Sequence, residues 1–218
     1  MTSGAFITFE GGEGAGKSTQ VERLAETLRA RHRVVVTREP GGTPRAEEIR
    51  AALLGGLAKP YGPFAEALLF SAARIDHLDR LIRPALAAGA VVLCDRFMDS
   101  TRAYQGAAGG IAAGTVAALE RVVVGATRPG LTLILDLDPE AGLARARARS
   151  GAADRFEGEA LDFHRRLRAA FRAIAEAEPE RCVLIDAGEA PDAVAAAIRA
   201  AVTERLPHLL PEGASDAA

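Results

Sequence analysis

The segment Ala5-Phe6-Ile7-Thr8-Phe9-Glu10-Gly11-Gly12-Glu13-Gly14-Ala15-Gly16-Lys17-Ser18-Thr19 decides the fold. Its first part is an apolar run with the length of a buried strand. Its second part fills the pattern G-x-x-x-x-G-K-[ST] at Gly11, Gly16, Lys17 and Ser18. A helix with an apolar face at Val21, Leu24 and Leu28 comes next. Strand, glycine-rich turn and helix, in that order, make a phosphate-binding loop. Its glycines let backbone N–H groups turn inward onto an anion, and the helix N-terminus adds the positive end of its dipole. The pattern places Gly11, Gly12, Glu13, Gly14, Ala15, Gly16, Lys17, Ser18 and Thr19 around nucleotide phosphates. Lys17 then reaches the β and γ oxygens, and Ser18 offers its hydroxyl to Mg²⁺.

Outward from the loop, strand-like and helical stretches alternate, which predicts an α/β fold with a parallel sheet covered by helices on both faces. Four further strands are expected at Arg33 to Thr37, Ala90 to Asp95, Leu131 to Leu137 and Arg181 to Asp186. Each is a nearly continuous apolar run ending in a polar residue, as for strands buried on both faces with ligands at their carboxyl ends. Helices are expected over Lys17 to Arg31, Thr43 to Leu54, Pro63 to Ala87, Ala113 to Val124, Pro139 to Arg149, Glu159 to Ala177 and Pro191 to Leu206. One domain spans residues 1–206, with a lid near 145–157, and 207–218 read as a flexible C-terminal tail.

Composition excludes several classes. The 218 residues are 49% hydrophobic, enough for a sizeable core. A net charge of -2 provides no general basic field for nucleic acid, so arginine clusters must be local and suit small anions. Cys94 and Cys182 both lie in apolar runs, which predicts no disulfide and a reducing, cytoplasmic setting. The sequence shows neither a signal-peptide core nor an apolar stretch long enough for a membrane span.

A phosphate loop serves GTPases, motor ATPases and small-molecule kinases alike. The guanine-reading N-K-x-D and the D-x-x-G switch are both absent. The third strand ends in Asp95-Arg96, where the carboxylate can organise Mg²⁺ and the guanidinium can clamp a second phosphate.

The chain resembles the thymidylate kinases, which phosphorylate dTMP with ATP. The resemblance runs from Phe6 to about Ile198. It rests on FEGGEGAGKST (9–19), TREPGGT (37–43), LLFSAARIDHL (68–78), CDRFMDSTRAYQG (94–106) and RARARSGAADRFE (145–157). It implies a P-loop nucleoside-monophosphate-kinase fold with five parallel strands and a short lid. It also implies Mg²⁺ with ATP as co-substrate, no nucleic acid or membrane partner, and a homodimer.

The residues make chemical sense of such a site. Phe70 and Arg74, spaced i, i+4, share a helix face, away from an expected core stripe of Ile75, Ile82 and Leu86. Spacing alone leaves Phe70 either a core residue or an aromatic plate for a pyrimidine. The matching family segment implies the plate, with Arg74 donating to the base's carbonyl edge. Arg38 and Arg96 offer two forks for one phosphate dianion. Ser100, Tyr104 and Gln105 follow Asp95-Arg96 at short range and are expected on the turn and helix that roof the monophosphate site; by resemblance, Ser100 and Gln105 address the pyrimidine or its surroundings. Tyr104 lies under the sugar and disfavours a ribose 2′-hydroxyl, and Glu13 reads the 3′-hydroxyl. Arg145, Arg147 and Arg149 precede a Gly151 hinge and Arg155. Some thymidylate kinases carry arginine where this chain has Gly14, so a lid arginine is expected to reach the transferred phosphate. Arg149 and Arg155 are both candidates.

Overall fold

β1 (Phe6–Gly11) is the middle strand of a five-stranded, all-parallel sheet ordered β2-β3-β1-β4-β5 in the computed structural model. Residues 4–149, 156 and 158–210 are described. The elements run β1, α1 (Lys17–Arg29), β2 (Val34–Arg38), α2 (Pro44–Leu54), α3 (Gly62–His77), α4 (Arg83–Ala87) and β3 (Val91–Asp95). They continue with α5 (Met98–Thr101), α6 (Ala113–Val123), β4 (Leu131–Asp136), α7 (Pro139–Arg149), α8 (Leu161–Ala177), β5 (Cys182–Asp186) and α9 (Pro191–Arg205). All five expected strands are present, with no bound shifted by more than one residue.

Strand periodicity assigns the two cores. Side chains alternate between the faces of a sheet. On β1, Ile7 and Phe9 join Leu131 and Leu133 under Val21, Leu24 and Leu28 of α1 and Val194 and Ile198 of α9. The opposite face carries Phe6, packed with Val92, Cys94, Leu78, Ile82, Phe97 and Met98. Alternation puts Thr8 and Glu10 on that same face, and both are fully buried. Leu209 and Leu210, which the sequence places in the tail, are buried in the first core, and the Leu209 carbonyl lies 3.0 Å from His32 Nε2. The chain therefore stays packed to Leu210; 211–218 lie outside the described residues.

The expected long helix over Pro63 to Ala87 is three pieces. A π-helical turn at Leu78–Ile82 separates α3 from α4. Pro84 sits in the first turn of α4 and has no N–H to continue the i→i−4 ladder. The wider turn shifts the helical phase, so Ile75 and Ile82 no longer share a face. Ile82 is buried and Ile75 is exposed, against the expected core stripe. A second π-helical turn at Arg102–Ala108 continues α5, a helical segment absent from the periodicity pattern but anticipated as the roof over the acceptor site.

A buried polar seam crosses the second face. Thr8 Oγ1 and Thr132 Oγ1 are 2.8 Å apart, and Arg181 donates to Thr132 Oγ1 at 2.6 Å and to both carboxylate oxygens of Asp99 at 2.8 and 3.0 Å. Arg102 adds a bond to Asp99 and reaches Glu120 and Glu178. The seam ties α5 to the β4–β5 edge. Removing one member of a buried ion pair strands the other charge, so Asp99→Ala is expected to lose on the order of 3 kcal/mol in denaturant unfolding. A loss under ~1 kcal/mol would mean that Glu178 alone satisfies Arg181.

Candidate active site

Parallel pairing brings the site together. Phe9 is in register with Asp95, Arg38 with Asp95, and Gly11 with Leu135. The carboxyl ends of β1, β2 and β3 thus open side by side at the crevice edge where ligands bind in such sheets.

The phosphate loop has the geometry its glycines permit. Gly16 has φ +85° and caps α1 from the left-handed region, leaving the first-turn N–H groups of the helix open toward the loop. Lys17 is buried, and its Nζ donates to the carbonyls of Gly11 (3.2 Å) and Gly12 (2.8 Å). Burial, then the neighbouring Arg96, pull its ammonium down to about 8. Ser18 Oγ donates to Asp95 Oδ2 at 2.6 Å, so the two expected metal-facing groups meet.

Arg96 is next in the chain and has a left-handed conformation, φ +69°, unusual for a residue with a side chain. Its N–H bonds Phe9 O at 2.8 Å. Its guanidinium donates to Gly11 O (3.0 Å) and Glu13 Oε1 (2.9 Å) and lies 5.0 Å over the Tyr104 ring. Tyr104 Oη donates to the same Glu13 oxygen at 2.5 Å. Burial alone would raise the Glu13 carboxyl, but Arg96, Lys17 and the Tyr104 hydroxyl hold it down to about 2.

One cleft of about 320 Å³ is lined by all eight residues expected at the acceptor site, Glu13, Arg38, Phe70, Arg74, Arg96, Ser100, Tyr104 and Gln105, together with Lys17, Ser18 and Asp95. Phe70 is half-buried, with its ring centroid 6.3 Å from that of Phe156, which also lines the cleft. Arg38 is paired with Glu47 at 3.0 Å. Gln105 is buried, and its Nε2 has no protein partner among the described residues. On the other side of the loop, Gly14, Ala15, Gly16, Thr19 and Arg145 border a separate open pocket with Ala187 and Glu189. There Arg145 donates to Ala187 O at 3.0 Å. The Arg149 side chain and Arg155, the two lid candidates, lie outside the described residues.

Sequence reasoning misses the residues that hold the site from behind. In the sequence Glu10 reads only as part of a strand. It is fully buried, and its Oε1 accepts the N–H groups of Phe97 (2.8 Å) and Ser100 (3.2 Å) while its Oε2 accepts Ser100 Oγ (2.6 Å). Glu39, His77 and Phe156 likewise carry no role there. The polar residue inside the apolar β1 run is the available signal for Glu10. Burial, reinforced by Asp99 and opposed by Ser100, Arg96 and Phe97, raises the Glu10 carboxyl from 4.5 to about 7. As pH rises through 4.5 the unfolded chain gives up this proton while the folded chain keeps it until about 7, so this group makes stability fall across that window and level off above it. Glu10→Gln should flatten the decline in denaturant titrations run across the window; an unaltered slope would assign it to another group.

Comparison with known proteins agrees with this geometry. The family model described as thymidylate kinase matches residues 9–198. The chain is 62% identical to a thymidylate kinase of Caulobacter vibrioides over 94% of its own length and 99% of the relative's. It is 58% identical to one of Bradyrhizobium diazoefficiens, covering 93% and 90%. The crystal structure of thymidylate kinase from Ehrlichia chaffeensis superimposes with a TM-score of 0.75 at 34% identity, covering 92% of this chain and 99% of that one. That neighbour shares the nucleoside-monophosphate-kinase form of the P-loop fold seen here, a five-stranded parallel sheet wrapped by helices. With a phosphate loop and a cleft walled by arginines and aromatic rings in one crevice, the chain belongs to the thymidylate kinase family of nucleoside monophosphate kinases.

Proposed function

We propose that the chain transfers the γ-phosphoryl group of ATP directly to dTMP, giving dTDP and ADP for dTTP synthesis, with Mg²⁺ as the accompanying cation. The observation that carries this is the convergence of Arg38, Arg96, Phe70 and Arg74 with Lys17 in one cleft. Phosphoryl transfer asks the protein mainly to position reactants and neutralise charge. Arg38 and Arg96 hold the acceptor phosphate, whose dianion already presents a nucleophilic oxygen, so no strong base is needed. Lys17 meets the donor phosphates, and Arg149 or Arg155 folds over them from the lid. Ser18 and Asp95 fit Mg²⁺: both offer hard oxygen atoms, and two protein donors suit a cation that keeps water and leans on phosphate. When bound, Mg²⁺ neutralises phosphate charge.

The acceptor roles come from the placements. Glu13, kept ionised by Arg96 and Tyr104, accepts the sugar 3′-hydroxyl, and the Tyr104 ring fills the space a 2′-hydroxyl would need. Phe70 stacks the pyrimidine, with Arg74, Ser100 and Gln105 at its edges. Arg145, with Ala187 and Gly188, flanks the adenine. The chain, packed through Leu210, acts as one kinase domain in the cytoplasm, a setting consistent with Cys94 and Cys182 being free thiols, and no helix among the described residues is long and apolar enough to cross a membrane. A homodimer is supported by the exposed Phe64, Leu68 and Ile75, one apolar face of α3, and Val122 on the adjoining α6.

Two measurements test this reading. Coupled ADP release with ATP, Mg²⁺ and a panel of dTMP, dUMP, dCMP, UMP, CMP, AMP and thymidine should favour dTMP, and turnover of another acceptor without dTMP would overturn the acceptor assignment. In the same assay Arg96→Ala should lose on the order of a hundredfold or more in kcat with the ATP KM nearly unchanged. Sedimentation should give twice the 22.8 kDa chain mass, and Leu68→Glu should return the monomer; a wild-type monomer would refute the dimer.

A further inference from the structure

The loop from Thr37 to Thr43 is stapled to α3 at successive points. Thr43 Oγ1 donates to Asp76 Oδ2 at 2.5 Å, Thr37 Oγ1 lies 2.7 Å from His77 Nε2, and Glu39 Oε1 lies 3.1 Å from His77 Nδ1. Glu39 Oε2 accepts Arg74 Nε at 2.6 Å. A carboxylate only accepts, so His77 carries a proton on Nδ1 and donates it to Glu39. Gly42, φ +86°, packs directly on this pair: a Cβ there would sit 2.5 Å from both His77 Nε2 and Thr37 Oγ1. Glu39 and His77 are both buried; Glu39 borders the cleft and His77 stands behind it.

Their common purpose is Arg74. Besides Glu39, its guanidinium donates from Nη1 to Thr101 Oγ1 (3.1 Å) and from Nη2 to Phe97 O (3.0 Å), and it lies 5.1 Å over the Phe97 ring. Three of the five N–H groups of the fork are thus taken, by acceptors on two segments, the loop after β2 and the α5 helix with its N-cap. One N–H on each terminal nitrogen has no protein partner among the described residues, and Arg74 lines the acceptor cleft. A pinned guanidinium can donate and cannot accept, nor can it swing aside.

We infer that Glu39, backed by His77, is a positioning residue that sets acceptor-base specificity: by fixing Arg74 it makes the cleft favour a pyrimidine with a ring carbonyl at position 4 over one with an amino group there. The inference rests on the reading of Arg74 as base-facing. A carbonyl at that position receives the free donors. An amino group meets them donor to donor and leaves both sides unpaired, a loss that a fixed arginine cannot relieve.

The test is the ratio of kcat/KM for dTMP, dUMP and dCMP in wild type and Glu39→Gln, with thermal melting of each protein. dTMP and dUMP share the carbonyl, so the dTMP/dCMP and dUMP/dCMP ratios should both fall about tenfold or more while dTMP/dUMP stays constant. A uniform loss across the three acceptors, or unchanged ratios, overturns the inference and makes Glu39 merely structural. If Glu39→Gln does not fold, Thr101→Val removes a neutral tether of Arg74 and must move the same two ratios in the same direction; unchanged ratios there overturn it equally. A wild type inactive on dTMP would overturn the functional reading, and this inference with it. A wild type that prefers dTMP, with variants that keep the ratios, sinks the positioning role alone.

Discussion

The left-handed turn at Arg96 is the constraint on which the cleft beside the phosphate loop depends. Three consecutive residues face three ways: Asp95 meets Ser18, Arg96 meets Glu13 and Tyr104, and Phe97 enters the core against Phe6 at a centroid distance of 5.0 Å. Regular strand geometry would send Asp95 and Phe97 to the same face. The left-handed backbone breaks that alternation at a cost of order 1 to 3 kcal/mol for a side-chain-bearing residue. The surroundings over-determine it. The Arg96 N–H is held by Phe9 of the adjacent strand, and Glu10 collects two further N–H groups, at Phe97 and Ser100.

Buried carboxylates are the means by which this protein directs its arginines. Glu13 orients Arg96, Glu39 orients Arg74, and Asp99 holds Arg181 and Arg102. Burying a charge is costly unless its hydrogen bonds are filled, and each of these three is met by at least two donors. Such pairs add little net stability, but each fixes a direction. For an enzyme class whose substrates are anions and whose base must be read edge-on, direction matters more than the energy of the pair. The neighbours Arg38 and Glu39 divide that labour: the first keeps its guanidinium half-exposed at the cleft, the second turns inward to hold another arginine.

Each feature was legible in the sequence to the extent that its cause is local. The five strands were readable because parallel strands buried on both faces must be apolar throughout, and the phosphate loop was readable because its glycines are required by backbone geometry. Phe70, Arg74, Ser100, Tyr104 and Gln105 were singled out through separated segments that resemble a known family, and all of them line one cleft. Periodicity failed where the helical period itself changes: the π-helical turn at Leu78–Ile82 broke the expected long helix and left Ile75 at the surface, and the one at Arg102–Ala108 is missing from the apolar pattern. Glu10, Asp99 and His77 were invisible for another reason. The partners that define their roles stand 38 to 90 positions away, such as Glu39 for His77 and Ser100 for Glu10, and no local pattern encodes a pairing at that range. Leu209 and Leu210 belong with them: an apolar pair in a proline-flanked end looks like a tail until a core is known to need it.

Gly14 joins the phosphate loop to α7. Some thymidylate kinases are expected to carry an arginine at this loop position, and here the position has φ +67° with its missing Cβ directed into the Gly142 carbonyl, closer than any side chain could sit. Gly142 in turn would place a Cβ against the Glu13 carbonyl at a similarly forbidden distance. Two glycines thus let the first turns of α7 press backbone against backbone onto the phosphate loop, and any side chain at residue 14 would force them apart. The loop has given up the space in which its own arginine would fit, and it has done so to seat the helix that carries Arg145, Arg147 and Arg149. The packing that brings α7 close to the loop is the same packing that excludes any side chain, an arginine included, from residue 14.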